Sequence, residues 1–177
     1  MKAKRLILTT SRKVTIGEQN NPRSVCPPPT IHPDILTVKV DAAWDAASGA
    51  CGIGGIFSGN CAMQIPVVSE AHNHVSSALM AEAIAVHRAV SLAVFSNVQS
   101  LAVLSDSLSL INLLKTGGYH PELFGIMFDI YHFVSLFDVI SFHFISRNFN
   151  SQADLVANLF SLGLYVTPTW ERNSRSE

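Results

Sequence analysis

The chain has 177 residues, a hydrophobic content of 48% against 14% charged, and a formal net charge of −1. That is enough chain and enough apolar residue for one domain with a sizeable core. No run reaches the ~18 uninterrupted apolar residues of a membrane helix: the most apolar region, 125–145, is broken by Asp129, His132, Asp138 and His143.

Charge is unevenly spread. Residues 1–17 carry Lys2, Lys4, Arg5, Arg12 and Lys13 and no acid, while residues 36–165 carry nine acids against four basic residues, a net −5. A body this acidic cannot hold a phosphate backbone by lysine and arginine alone; it either does not bind nucleic acid or does so through divalent cations. Cys26, Cys51 and Cys61 are odd in number and lack CxxC or finger spacing, so they read as reduced thiols in a reducing compartment, nucleus, cytoplasm or organelle.

Residues 1–34, with Asn20-Asn21-Pro22 and Cys26-Pro27-Pro28-Pro29, have no periodicity and are expected to form a flexible arm ahead of a domain at 35–165, with a tail at 166–177. The basic start fits a disordered tail better than a transit peptide, and Leu6-Ile7-Leu8 is too short for a secretory signal. Leu36, Val38 and Val40 alternate with Thr37, Lys39 and Asp41, which is the period of a half-buried strand. Ala50–Phe57 and Cys61–Pro66 then read as two further strands joined around Gly59-Asn60. Glycines 52, 54 and 55 leave so little bulk that a backbone or a ligand could approach closely. Val67–Ser76 reads as a polar loop; its His72 and His74 have no further ligand nearby in sequence.

A helix is expected from about Ser77 to Phe95, with Ser76 or Ser77 as N-cap and an apolar stripe of Leu79, Ala83, Val86, Val90, Ala93 and Val94. Glu82 falls at the edge of that stripe. There a carboxylate must be paired, protonated, bound to a cation or tilted outward. Leu101–Leu104 reads as a strand that stops at Ser105-Asp106-Ser107, either a helix N-cap or a site residue at the sheet's end. A helix over 108–115 closes on Gly117-Gly118. Pro121-Glu122 opens another, with Leu123, Ile126, Met127, Ile130, Val134 and Phe137 inward and Asp129 and Asp138 solvated. Ile140–Ile145 alternates as a strand, Arg147–Asn150 is a turn, and a last helix from Ser151 is expected to bury Leu155, Val156, Leu159 and Leu162. Asp154 in its first turn suits the helix dipole.

Carboxylates thus end or flank four elements. The stretches Val40-Asp41-Ala42-Ala43-Trp44 with Gly52-Ile53-Gly54, Ala81-Glu82-Ala83, Ser105-Asp106-Ser107, and Arg147-x-x-Asn150 followed by Ala153-Asp154 resemble the ribonuclease H type 1 family, closely its plant reverse-transcriptase-like, retroelement-derived branch. The resemblance implies an α/β, ribonuclease H-like fold: a mixed five-stranded sheet, three antiparallel strands then two more, flanked by helices. It also implies a hydrolase that cleaves the RNA strand of RNA–DNA hybrids with two Mg²⁺ ions, Mn²⁺ substituting. Asp41 would bridge both ions, Glu82 and Asp106 would complete one site and Asp154 the other. Gly52, Gly54, Ser107, Arg147 and Asn150 would face nucleic acid, and the protein would act as a monomer away from membranes. The chain departs from the pattern in lacking a histidine in Ser146–Gln152, in Phe144 and Phe57-Ser58, and in having no basic protrusion between its helices. Those departures support an alternative of another class, a domesticated non-catalytic module that binds nucleic acid or a protein partner.

Overall fold

The computed structural model describes residues 27–59 and 65–161. Strand β1 (Leu36–Trp44) lies at the centre of a five-stranded sheet, flanked by β2 (Cys51–Ser58) and then the edge strand β3 (Val68–His72) on one side, and by β4 (Ser100–Ser105) and β5 (Val139–Phe144) on the other. The first three strands are antiparallel, whereas β4 pairs parallel to β1 and β5 parallel to β4. The alternation in β1 does what its period requires: Leu36, Val38 and Val40 enter the core, and Thr37 and Lys39 face the other side.

Helices α1 (Ala78–Phe95), α2 (Leu108–Thr116) and α3 (Phe124–Val134, preceded by a 3₁₀ turn at Pro121–Leu123) cover one face. The Ser77 side chain accepts the Met80 N–H at 3.1 Å and so starts α1. Although α1 is long and apolar enough to match a bilayer span, Ala81, Ala85, Val86, Ala89, Val90 and Ala93 bury it against sheet and α3; its composition is that of a central core helix. Gly117, at φ +63°, ends α2 in the left-handed cap that glycine adopts without steric cost.

The opposite face is shared. Helix α4 (Ser151–Ser161) lies over β1, β2 and β3, while Ile31, Ile35 and Phe149 close over Ala102, Leu104 and Ile145. Ile31 therefore packs on the sheet although it falls within the expected arm; residues 1–26 and the expected tail at 166–177 lie outside the described residues.

Two expectations need correction. Among the described residues the third strand is Val68–His72, inside the stretch expected as a polar loop; of the expected strand Cys61–Pro66, Ile65 and Pro66 are irregular and 61–64 lie outside the described residues. An edge strand needs only one inward apolar residue, here Val68 opposite Gly55, so Ser69, Glu70 and His72 gave it the polarity of a loop. The second correction concerns α4, whose buried residues are Ala153 and Ala157; Leu155 is 60% exposed and Leu159 42%, Val156 is half-buried, and Leu162 lies outside the described residues. Ser107 holds the N-cap position of α2 without a side-chain capping bond, and the Asp106 carboxylate beside it accepts from the Asn150 amide at 3.3 Å.

The reason α4 turns its alanines inward lies in β2. A Cβ on Gly52 would stand 2.1 Å from the Ala157 carbonyl oxygen and 2.3 Å from the Ser161 nitrogen, and one on Gly54 would stand 2.4 Å from the Ala153 oxygen. The helix backbone occupies the space those glycines leave. Gly52 and Gly54, expected to face nucleic acid, are buried beneath α4; the close approach that the glycines permit is made by a helix.

Candidate metal centre

The sheet brings two of the acids together by register alone. Parallel pairing of β1 and β4 runs to Lys39 opposite Leu104, and two residues further along each chain stand Asp41 and Asp106. Asp106 stands just past the carboxyl end of β4, where ligand crevices of α/β sheets form, and Asp41 lies beside it where the parallel pairing stops, although β1 itself runs on to Trp44. Glu82 enters from the second turn of α1, one turn after Leu79 on the same side. One carboxylate oxygen from each of Asp41, Glu82 and Asp106 lies within 4.8 Å of the other two. Asp41 is only 4% exposed. Together with Ala42, Ala78, Leu79, Ser107, Ser109 and Arg147 they line a cleft of about 370 Å³.

The cluster is electrostatically unfinished. Asp41 accepts the Ala42 N–H at 2.9 Å through Oδ1, but its Oδ2 is buried without a donor, as is Glu82 Oε2. Burial, then the neighbouring charges of Asp106 and Asp154, push the Asp41 carboxyl up to about 7, against the Ala42 hydrogen bond and Arg147. Burial first, then Asp41 and Asp106, push Glu82 up to about 9. Like charges this close require protons or a cation between them. Either completes the site; only a cation supplies new chemistry.

Asp154 stands outside this triad. Its Oδ1 accepts a hydrogen bond from Arg147 Nη2 at 2.9 Å, while its charge still reaches Asp41. Arg147 opens the 3₁₀ turn Arg147–Phe149, exposes most of its side chain and lines the cleft; Ser107 lines it too. Asn150 does not face outward. It is fully buried, and its Nδ2 donates to the Val40 carbonyl at 2.9 Å and to Asp106 Oδ1 at 3.3 Å. With β1–β4 pairing over at Lys39, Asn150 takes up the next β1 carbonyl and ties it to Asp106. The structure thus places Asn150 beneath the cleft, tying Asp106 to β1, and not among the residues that line it. Ser109 and Leu79 were not singled out from the sequence as cleft residues, since only the packing of α1 beside α2 brings them there.

The other chemistry-bearing candidates are elsewhere. Cys51 is a free, buried thiol; Cys26 and Cys61 lie outside the described residues. His72 pairs with Glu70, which Arg88 grips through Nε and Nη2. His143 contacts Ser141 Oγ at 2.9 Å from within β5.

Residues 39–160 match the family described as reverse transcriptase-like. No curated protein matches the chain significantly. Similar solved structures include RNase H1 from the halophilic archaeon Halobacterium salinarum, with a TM-score of 0.66, 18% identity and coverage of 73% of this chain and 98% of that one. The N-terminal RNase H domain of a Mycobacterium tuberculosis protein gives 0.65 at 20% identity, over 72% of this chain and 94% of that one. LC11-RNase H1 in complex with an RNA/DNA hybrid gives 0.62 at 21% identity, over 73% of this chain and 99% of that one. At these identities the likeness establishes the fold: a mixed five-stranded α/β sheet of the ribonuclease H-like type.

Proposed function

The chain belongs to the reverse-transcriptase-like family, and we propose that within it this protein is a divalent-cation-dependent endonuclease that cuts the RNA strand of RNA–DNA hybrids. One observation carries the reading: Asp41 Oδ2 and Glu82 Oε2 are buried without donors in a triad of carboxylates within 4.8 Å. Such a donor set suits a hard cation, and Mg²⁺, with Mn²⁺ as substitute, takes its remaining ligands from water and substrate phosphate. The cations supply Lewis-acid polarisation of the phosphodiester and activation of water when bound.

The chain's own residues divide the remaining work. Asp41, Glu82 and Asp106 would hold the first cation, and Asp154 with Asp41 a second. Asn150 fixes Asp106 against β1 before substrate arrives, so the acids need little rearrangement. Ser107, Ser109 and Arg147 give the cleft wall hydroxyls and one positive charge to set against a phosphate backbone. The bound cations would offset the acidic body, and the 2′-hydroxyl of RNA would distinguish the strand to be cut. The hybrid complex of LC11-RNase H1 supports this choice of substrate. The test is cleavage of an end-labelled hybrid in Mg²⁺, in Mn²⁺ and in EDTA, beside DNA and RNA duplexes. Cation-dependent cutting confined to the hybrid is expected. Binding without cutting in any cation would favour the non-catalytic module that the histidine-free loop at 146–152 suggests.

A further inference from the structure

Two arginine–carboxylate pairs on this molecule are built differently. Arg88 grips Glu70 through both Nε and Nη2, a closed fork. Arg147 reaches Asp154 by a single Nη2–Oδ1 contact of 2.9 Å, and that is its guanidinium's one hydrogen bond among the described residues. Its side chain is 76% exposed, so the pair is weakly held. Arg147 is also the one lysine or arginine lining the acid cleft, and it feels Asp41 and Asp106 as well. A guanidinium with most of its donors unused, at the mouth of a cleft, is suited to a phosphate diester, which it binds by the same planar fork that suits a carboxylate.

We propose that Arg147 is an exchangeable counter-charge: it neutralises Asp154 while the cleft is empty and transfers to a backbone phosphate when nucleic acid enters, releasing Asp154 to the acid cluster. The inference rests on the cation-dependent reading above and deepens it, because cation and nucleic acid would then bind with mutual reinforcement. A ligand that takes Arg147 away from Asp154 strengthens cation binding, and by linkage the cation strengthens that ligand's binding in equal measure.

The experiment is Mn²⁺ binding to the metal-free full chain, followed without catalysis by the loss of the free-ion paramagnetic signal. It compares the parent, Arg147→Gln, Arg147→Lys, Asp154→Asn and the Arg147→Gln/Asp154→Asn double variant. Each is measured with and without a hybrid whose RNA strand carries 2′-O-methyl groups and is not cut. Breaking an exposed ion pair and removing a nearby positive charge should tighten Mn²⁺ binding about three- to tenfold in Arg147→Gln. Arg147→Lys should stay near the parent, and most of the gain should vanish when Asp154 is already Asn. The uncut hybrid should tighten Mn²⁺ binding by the parent but not by Arg147→Gln. A parent that binds Mn²⁺ and an Arg147→Gln variant that binds it equally well would overturn the exchange alone, as would a gain undiminished in the double variant. A parent that takes up no Mn²⁺ would overturn the cation reading and the exchange with it.

Discussion

Glu82→Gln separates a proton-holding carboxyl from an ordinary helix glutamate without any substrate or metal. In the metal-free protein, burial and then Asp41 and Asp106 raise the Glu82 carboxyl from 4.5 to about 9. Between those values the folded chain keeps a proton that the unfolded chain releases. The slope of unfolding free energy with pH is therefore negative, about 1.4 kcal/mol lost per pH unit. The stabilisation is complete below about pH 4.5 and is lost as pH rises through about 9. Asp41, raised to about 7, adds a loss of the same sign at lower pH, so the window from pH 7.5 to 8.5 isolates Glu82. There the parent should lose about 1.4 kcal/mol, a fall in Tm of roughly 3–6 °C for a domain of this size. Gln keeps the shape of the neutral carboxyl and cannot ionise, so the variant should match the parent within about 1 kcal/mol near pH 6 and hold its Tm across the window. Thermal melts in EDTA at half-unit pH steps make the comparison. Parallel curves for the two proteins would refute the claim that Glu82 holds a proton in the cluster.

Other perturbations probe how the cluster is supported. Gly54→Ala sets a Cβ 2.4 Å from the Ala153 oxygen, backbone against backbone, and should cost about 3 kcal/mol or more in denaturant unfolding, because α4 must lift from β2. Leu155→Glu and Leu159→Glu lie on the exposed side of α4 and should each stay within about 0.5 kcal/mol of the parent in the same assay; losses of several kcal/mol would restore the leucine stripe as the buried face. Asn150→Ala strips the Val40 carbonyl and Asp106 of their shared donor and should cost about 1–3 kcal/mol of stability. It should also weaken Mg²⁺-induced stabilisation, measured as the shift in Tm between EDTA and Mg²⁺.

Asp106 was legible as the residue just past the apolar run of β4, whereas the strand expected to end on Asp41 runs on to Trp44; parallel register sets the two acids side by side. Glu82 was legible from its place at the edge of the α1 stripe. The β3 strand was hidden because a sheet edge tolerates polar residues, and only Val68 marks its inner side. The buried face of α4 was hidden for the opposite reason. Where two glycines let backbone meet backbone, alanine is the residue that fits, and larger leucines turn outward. For Asn150, the motif could be seen in the sequence but its partner could not: its bond to the Val40 carbonyl spans 110 residues and exists only once the sheet has formed.

The central claim is that the acid cluster is finished by a cation in place of protons. Calorimetric titration of Mg²⁺ into the metal-free chain at pH 7, repeated in buffers of different ionisation enthalpy, counts the protons that leave as the cation enters. With Glu82 raised to about 9 and Asp41 to about 7, uptake should release between one and two protons per chain, and Asp41→Asn should lose most of the binding. Binding with no buffer-dependent heat, or binding unchanged in Asp41→Asn, would contradict the account.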